Sequence, residues 1–374
     1  MNSEVALLRE YGHEVHLHTA TNDGIQGLWQ KVATAWQAPY SFKAKKEVSH
    51  RIKEIDPDIV HVHNFFPLLT PSIYEACQEA GVPVVQTLHN FRIICPGALL
   101  MRGGKVCEDC IQGSPYQAVL HKCYRDSMLG SLAVARMVDV HRRRGTWKNL
   151  VDRFLVLTKF ARDKFVEAGF PIGKMVVKPN FAPTRPCPEN NEEGRSGALF
   201  VGRLSPEKGI DTILDAWKKL DISLRIIGEG PLLELIRENS AEFVTVLGQK
   251  TTEQVAREMS RAAFLVMPSK WYEGFPMVLV EAFAQGLPAI VSRLGAMAEI
   301  VEDGVTGLHF EPGDANDFAR KVRWAREHPG EMYRMGREAR SVYEKNYTSE
   351  INYRRLIDIY EGTIAGKQGA FNPA

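Results

Sequence analysis

The chain has 374 residues, 44% hydrophobic and 25% charged, and its 47 basic against 45 acidic side chains leave a formal charge of +2. That length predicts two domains, the composition is that of a soluble globular protein, and the near-neutral balance offers no global field for nucleic acid or another acidic polymer. No run of 18 apolar residues occurs and the N-terminus lacks the order of a signal peptide, so a spanning helix is not expected and the expected location is the cytoplasm.

In chain order, Glu4 to Tyr11 reads as the end of a helix stopped at Gly12, followed by an alternating, strand-like segment from Glu14 to Thr19. This is the second half of a βαβ unit, and a first strand with its Gly-bearing turn is expected before residue 4, so the first domain reads as lacking that strand. Short apolar runs predict further strands at Asp58–Val62, Val82–Leu88, Phe154–Leu157 and Met175–Lys178. Runs of this kind suit a parallel sheet buried on both faces.

From Pro179 to Gly197 the sequence turns to Pro, Asn, Glu and Gly and reads as a linker. A second series of strands is predicted at Ala198–Val201, Leu224–Ile227, Phe243–Leu247, Phe264–Met267, Pro288–Val291 and Gly307–Phe310, with a last helix from Ser349 to Tyr360. Strands alternating with helices give an α/β, doubly wound layer twice over, and ligands are expected at the carboxyl ends of the strands.

The loop Gly202-Arg203-Leu204-Ser205-Pro206-Glu207-Lys208-Gly209 lies between a strand and a helix. Its glycines let backbone approach a phosphate, the helix start supplies N–H groups, and Arg203 and Lys208 neutralise two negative charges. It is not a P-loop, and an exposed turn with solvated charges fits the loop equally well on its own. In Glu273-Gly274-Phe275-Pro276, Pro276 suits a first helical position, which an anion favours. Glu281 follows in an otherwise apolar helix, where an ionised carboxylate needs hydrogen-bond donors from a ligand, from solvent or from a structural cation.

Gly-Arg-x5-Gly with Lys208, then Glu273-x7-Glu281, resembles the large retaining glycosyltransferase family four. The likeness extends to Pro57-Asp58-Ile59-Val60-His61-Val62-His63-Asn64, Thr87-Leu88-His89-Asn90, Lys178-Pro179-Asn180, Ile227-Gly228-Glu229-Gly230-Pro231-Leu232 and Ile359-Tyr360-Glu361, nearly the whole chain. The resemblance implies a GT-B fold: two Rossmann-like domains facing across a cleft, at 1–179 and 180–349, with 350–366 packing back on the first. It also implies transfer of a sugar, with retention by a front-face route, from a UDP, GDP or ADP sugar to a hydroxyl of a glycan or lipid-linked acceptor. Gly202, Arg203 and Lys208 would hold the diphosphate, backbone around Gly274, Phe275 and Pro276 would cap it, and Glu281 would bind the ribose. Glu273 and His89 would serve the transferred sugar, with no catalytic divalent metal expected. A hydrolase or epimerase of nucleotide sugars, or a non-catalytic sugar-nucleotide-binding scaffold, is the alternative.

Asp56-Pro57-Asp58 has the form of a metal-holding Asp-x-Asp but precedes a buried strand and reads as a turn, and Gly228-x-Gly230 reads as a tight turn and not an NAD site. Cys95-x11-Cys107-x2-Cys110-x12-Cys123, with Cys77 and Cys187 apart, has the count and knuckle of a closed structural Zn²⁺ site. Between Tyr116 and Trp147, Lys122, Arg125, Arg136 and His141-Arg142-Arg143-Arg144 surround Met128, Leu129, Leu132, Val134, Met137 and Val138. This pattern fits either peripheral contact with an anionic membrane or a solvated charged face.

Overall fold

The computed structural model describes residues 1–20, 27, 34–183 and 194–371. The chain forms two compact units: Met1–Arg102, Cys107–Lys178 and Tyr353–Ala374 make the first, and Gly103–Val106 with Pro179–Asn352 the second.

The first unit holds a parallel sheet ordered β1-β2-β5-β6, from strands β1 (Val60–Val62), β2 (Val84–Leu88), β5 (Arg153–Val156) and β6 (Met175–Val177). Every residue of β2 is buried, as a central strand covered on both faces requires. Side chains switch on the helices around it. Ser41 accepts from the Ala44 N–H to start Phe42–Ile55, which ends where Asp56 turns left-handed at φ 48°, and Thr158 caps Lys159–Glu167 in the same way. Asp56 and Asp58 are exposed residues of that turn. The last helix, Ser349–Phe371, enters the first unit, where Leu356 joins Leu8, Val85 and Leu155 in the core and Tyr353 stacks on Tyr11 at 3.7 Å.

The segment Glu14–Thr19 is not a strand: residues 13–20 carry no regular structure and Leu17 is half exposed. Alternation reports which faces a strand would have, not whether a neighbour is there to bond its N–H and C=O groups, and among the described residues this segment joins no ladder. A small hairpin, β3 (Met101–Arg102) with β4 (Lys105–Val106), and the short helices Asp109–Gln112 and Gln117–Leu120 occupy the cysteine-bearing stretch. Most of the expected linker, 184–193 with Cys187, lies outside the described residues.

The second unit is a six-stranded parallel sheet in the order β12-β11-β10-β7-β8-β9. Its strands are β7 (Ala198–Val201), β8 (Leu224–Ile227), β9 (Val244–Gly248), β10 (Phe264–Met267), β11 (Ala289–Ser292) and β12 (Gly307–Phe310). Apolar clusters cover both faces, one built around Trp217, Phe200 and Phe318, the other around Phe283, Leu279 and Tyr343. Each such side chain contributes about 1.5–3 kcal/mol of burial. The buried Trp217 Nε1 still donates to the Ile222 carbonyl at 2.8 Å, so its polar atom costs nothing. The chain winds outward from β7 one way to β8 and β9 and the other way to β10, β11 and β12. That reversal opens a switch point between the ends of β7 and β10.

Candidate active site

The loops leaving β7 and β10 meet at this switch point. The Lys270 N–H donates to the Glu207 carbonyl at 2.9 Å, and Gly209, at φ 73°, passes so close that a Cβ there would sit 1.9 Å from the Pro268 carbonyl oxygen. The loop leaving β8 closes the third side: the Gly202 N–H donates to the Ile227 carbonyl, the Leu204 N–H to Glu229, and a Cβ on Gly228 would lie 1.9 Å from the Gly202 oxygen. Glycine at 209 and 228 is thus imposed by backbone-to-backbone contact, and at 209 also by a left-handed φ.

Within this frame Glu273 is buried, and its Oε1 accepts from Lys208 Nζ at 2.7 Å, Ser269 Oγ at 2.7 Å and Trp271 Nε1 at 3.0 Å. Lys208 also lies over the Trp271 ring, 5.6 Å from its centroid. Three donors on one oxygen hold the carboxylate rigid, while Oε2 makes no hydrogen bond among the described residues and is open to a ligand hydroxyl. Lys208 spends one of its three N–H donors and keeps two. Arg203 is exposed and makes no ion pair among the described residues, so its guanidinium is available to an anion.

Pro276 is the residue just before the helix Met277–Ala284, one place earlier than expected, and Glu281, fifth in that helix, is half buried. Gly202, Arg203, Lys208, Gly274, Phe275, Pro276 and Glu273 belong to the segments that follow the carboxyl ends of β7 and β10, and Glu281 to the second turn of the helix after them. The sequence reading missed Ser269 and Trp271, the two donors that fix Glu273; their spacing of four and two residues before it on a loop carries no periodic signal.

In the first unit, His63 and His89 follow directly after the adjacent strands β1 and β2, and the parallel register brings their rings together, with Nδ1 of His63 2.9 Å from Nε2 of His89. Behind them Glu4 Oε2 lies 3.6 Å from His63 Nε2, and Glu4 Oε1 accepts from the buried Lys178 Nζ at 2.6 Å. His61 is held between Tyr360 Oη at 2.6 Å and Thr87 Oγ1 at 2.7 Å. Burial pushes the Glu4 carboxyl up, but the Lys178 charge and hydrogen bond, with His61 and His63, outweigh it and bring it down to about 2. Burial drives His63 down to about 4, against the pull of Glu4, and lowers His89 as well.

Both rings are therefore neutral near pH 7. Anionic Glu4 favours the proton on His63 Nε2, which leaves His63 Nδ1 to accept from His89 Nε2–H. Glu4, His63 and Lys178 went unassigned in the sequence reading. The available signal for His63 was two histidines, each one place beyond a predicted neighbouring strand.

The cysteine expectation needs correcting. Cys95, Cys107, Cys110 and Cys123 line one small cavity, but among the described residues no three or more His, Cys, Asp or Glu side chains stand as a ready metal-holding group. The thiols are spread around the wall and do not converge. Cys77 is separate and buried. The basic run is largely consumed by the fold. His141 bonds the Pro39 carbonyl and Thr146, Arg142 bonds the carbonyls of Gly113, Cys110 and Ile111, and Arg143 pairs with Asp139. Val134, Met137 and Val138 are core, whereas Met128, Leu129 and Leu132 are exposed. No helix of the described residues is long and apolar enough to cross a membrane.

Residues 5–185 match the description "Glycosyltransferase Family 4" and residues 187–342 match "Glycosyl transferases group 1". The chain belongs to glycosyltransferase family four. Over 136 residues it is 40% identical to an uncharacterized glycosyltransferase of Methanocaldococcus jannaschii, a stretch covering 35% of this chain and 38% of that relative. The alpha-D-kanosaminyltransferase of Streptomyces kanamyceticus is 24% identical over 356 residues, 90% of this chain and 83% of its own. Among solved structures, HepE of Anabaena in complex with UDP-glucose superposes with a TM-score of 0.66 at 17% identity, covering 96% of this chain and 88% of that one. Such likeness carries the fold, and the family four chain has the GT-B architecture of two Rossmann-like α/β units.

Proposed function

We propose that this family member transfers a glycosyl group, with retention, from a nucleoside diphosphate sugar to a hydroxyl of a glycan or lipid-linked acceptor. The observation that carries the reading is the switch point of the second sheet, where Arg203 and the two unspent donors of Lys208 adjoin a Glu273 fixed by three hydrogen bonds. A diphosphate suits the cations, and sugar hydroxyls suit Glu273 Oε2. Gly202 lies in the diphosphate loop. The backbone of Gly274, Phe275 and Pro276 is assigned to capping the phosphates, and Glu281 to the ribose hydroxyls. The named complex of HepE with UDP-glucose supports a nucleotide sugar as donor.

In the reaction the bond from the anomeric carbon to the diphosphate oxygen breaks, and the acceptor oxygen bonds the same face of that carbon. The acceptor's proton passes to the departing phosphate. Charge builds on the leaving diphosphate, and fixed cations stabilise it there more than in the ground state, which is electrostatic catalysis. His89, neutral and held by His63, is assigned to a hydroxyl of the transferring sugar. The exposed Met128, Leu129 and Leu132 beside Arg125 and Arg136 support a lipid-linked acceptor over a free one.

Calorimetric titration with UDP, GDP and ADP, using Arg203→Ala and Glu281→Ala as controls, tests the donor site, followed by turnover and the anomeric configuration of the product by NMR. Binding of one nucleotide that both substitutions weaken is the expected result. A folded chain that binds none of the three would sink the reading.

A further inference from the structure

The loops that follow β1 and β2 hold a charged group that the glycosyl-transfer reading leaves unused. Just past His63 the Phe66 N–H donates to Asn64 Oδ1 at 3.3 Å, and just past His89 the Arg92 N–H donates to Asn90 Oδ1 at 3.0 Å. The same side-chain turn therefore redirects both loops immediately beyond the paired histidines. It brings Arg92 to Phe66, and Tyr124, from the segment before the helix Met128–Arg144, joins them. Phe66 and Tyr124 meet edge to face at 5.9 Å, and Arg92 Cζ lies 5.1 Å from the centroid of each ring. Arg125 approaches the same Tyr124 ring, its Cζ 5.4 Å from the centroid.

Two guanidinium groups thus share one aromatic ring with no carboxylate to answer them. Burial lowers the Arg92 pKa from its ordinary value and the Arg125 charge adds to that, while Tyr124 and Cys95 pull the other way. A guanidinium stays charged at neutral pH all the same. Among the described residues neither arginine makes an ion pair. Arg92 Nη1 donates to the Pro96 carbonyl at 2.9 Å, which with the two rings holds its fork in place. Its remaining donors, and all those of Arg125, make no hydrogen bond among the described residues. Like charges this close, one of them half buried, are costly unless an anion joins them, and the ring faces offset only part of that cost.

We propose that Arg92 and Arg125 form an oxyanion site that binds a phosphate group of the acceptor. The word acceptor rests on the glycosyl-transfer reading, in which the donor phosphates belong to the second unit; the oxyanion site itself does not depend on it. A phosphate monoester, close to doubly charged at neutral pH, balances two guanidinium groups, whereas a carboxylate leaves one unanswered. Its several oxygens also accept from both planar forks at once. Arg92 is already fixed and sets where the anion sits, while Arg125, exposed, closes on it from solvent. The phosphate belongs either to a lipid headgroup or to a soluble phosphorylated acceptor.

The test titrates glycerol 3-phosphate into the full chain by calorimetry, with lactate as a small carboxylate for comparison and Arg203→Ala as the control for the donor loop. Arg125→Ala should weaken glycerol 3-phosphate about tenfold or more, as the loss of a charged hydrogen bond does, and leave nucleotide affinity unchanged. Arg92→Met should abolish the binding. Should Arg92→Met fail to fold, Arg125→Ala decides alone, because it removes only an exposed side chain. Sedimentation with phosphatidylcholine vesicles, with and without phosphatidic acid, separates the two sources. Arg125-dependent binding to the vesicles with phosphatidic acid puts the phosphate on a lipid, and binding of glycerol 3-phosphate alone puts it on a soluble acceptor. A chain that binds glycerol 3-phosphate through Arg125 but binds no nucleotide would keep the oxyanion site and sink the transfer reading. The proposal is overturned if glycerol 3-phosphate does not bind, if its affinity survives Arg125→Ala, if Arg203→Ala removes it instead, or if lactate binds as tightly.

Discussion

The two units place polar side chains at the ends of their strands in opposite ways. In the first, Glu4 pairs with Lys178 and adjoins His63, His63 bonds His89, and His61 is taken up by Tyr360 and Thr87, with Glu4 and Lys178 buried. In the second, Arg203 is exposed and Lys208 keeps donors in reserve around a single rigid carboxylate. A network that satisfies itself fixes geometry, whereas a set with unspent donors in a half-open loop has binding capacity. The difference separates positioning from recognition, and it can be broken from either side.

The largest effect is expected from Gly209→Ala or Gly228→Ala. A Cβ at either place meets a carbonyl oxygen at 1.9 Å, so the second unit should lose about 3 kcal/mol or more of stability, measured by urea unfolding, and nucleotide binding with it. Next, Lys178→Met leaves Glu4 buried without its partner, which costs about 3–5 kcal/mol, while the double variant Glu4→Gln/Lys178→Met should recover much of the loss. Thermal unfolding reads both, and nucleotide affinity measured on the folded fraction should stay unchanged if the first network only positions.

Arg203→Ala should do the reverse. Losing a charged hydrogen bond to phosphate weakens nucleotide binding by about 1.5–3 kcal/mol in calorimetry, with stability held within about 0.5 kcal/mol. A loss of stability instead would mean that the open set is as structural as the closed one.

The smallest effect is a pH slope. His63 titrates near 4 when folded against an ordinary 6.5, so the unfolded chain binds the extra proton first. The corresponding stability is complete above pH 6.5 and is lost as pH falls toward 4. Glu4, lowered from its ordinary 4.5 to about 2, gives up its share between those values, below most of that window. The groups facing His63 are Glu4, His89, His61, Lys178 and the N-terminal amine. His63→Gln should flatten the dependence of melting temperature on pH over this range, and an unchanged slope would remove His63 from the account.

What could be read from sequence follows the range of the interactions. Strands β7, β8, β10 and β12 were legible to the residue because a buried parallel strand is a short apolar run between turns, and the turn ending at Gly209 was legible because close backbone approach there demands glycine. Glu14–Thr19 misled, since an alternating pattern does not say whether a partner strand exists. The Glu4 to Lys178 bond joins residues 174 apart, and no local pattern encodes it. The Ser269 and Trp271 contacts with Glu273 are short in sequence yet depend on the fold of one irregular loop. The basic run from His141 to Arg144 looked like a surface feature, but carbonyls elsewhere in the chain claim His141 and Arg142.

The last helix returns the chain to the first unit after Asn352, so the second unit, apart from the hairpin tip Gly103–Val106, is a guest inserted into a host. Its two ends are already fastened: Asn352 Nδ2 donates to the Pro179 carbonyl at 2.7 Å and the Ala182 N–H to Tyr347 at 3.2 Å. A guest with adjoining ends can be excised, permuted or exchanged without unravelling its sheet. For this chain the second unit is therefore a cassette, and a hybrid that receives another family member's cassette between Lys178 and Tyr353 should fold and, on the proposed donor site, take the donor preference of the guest.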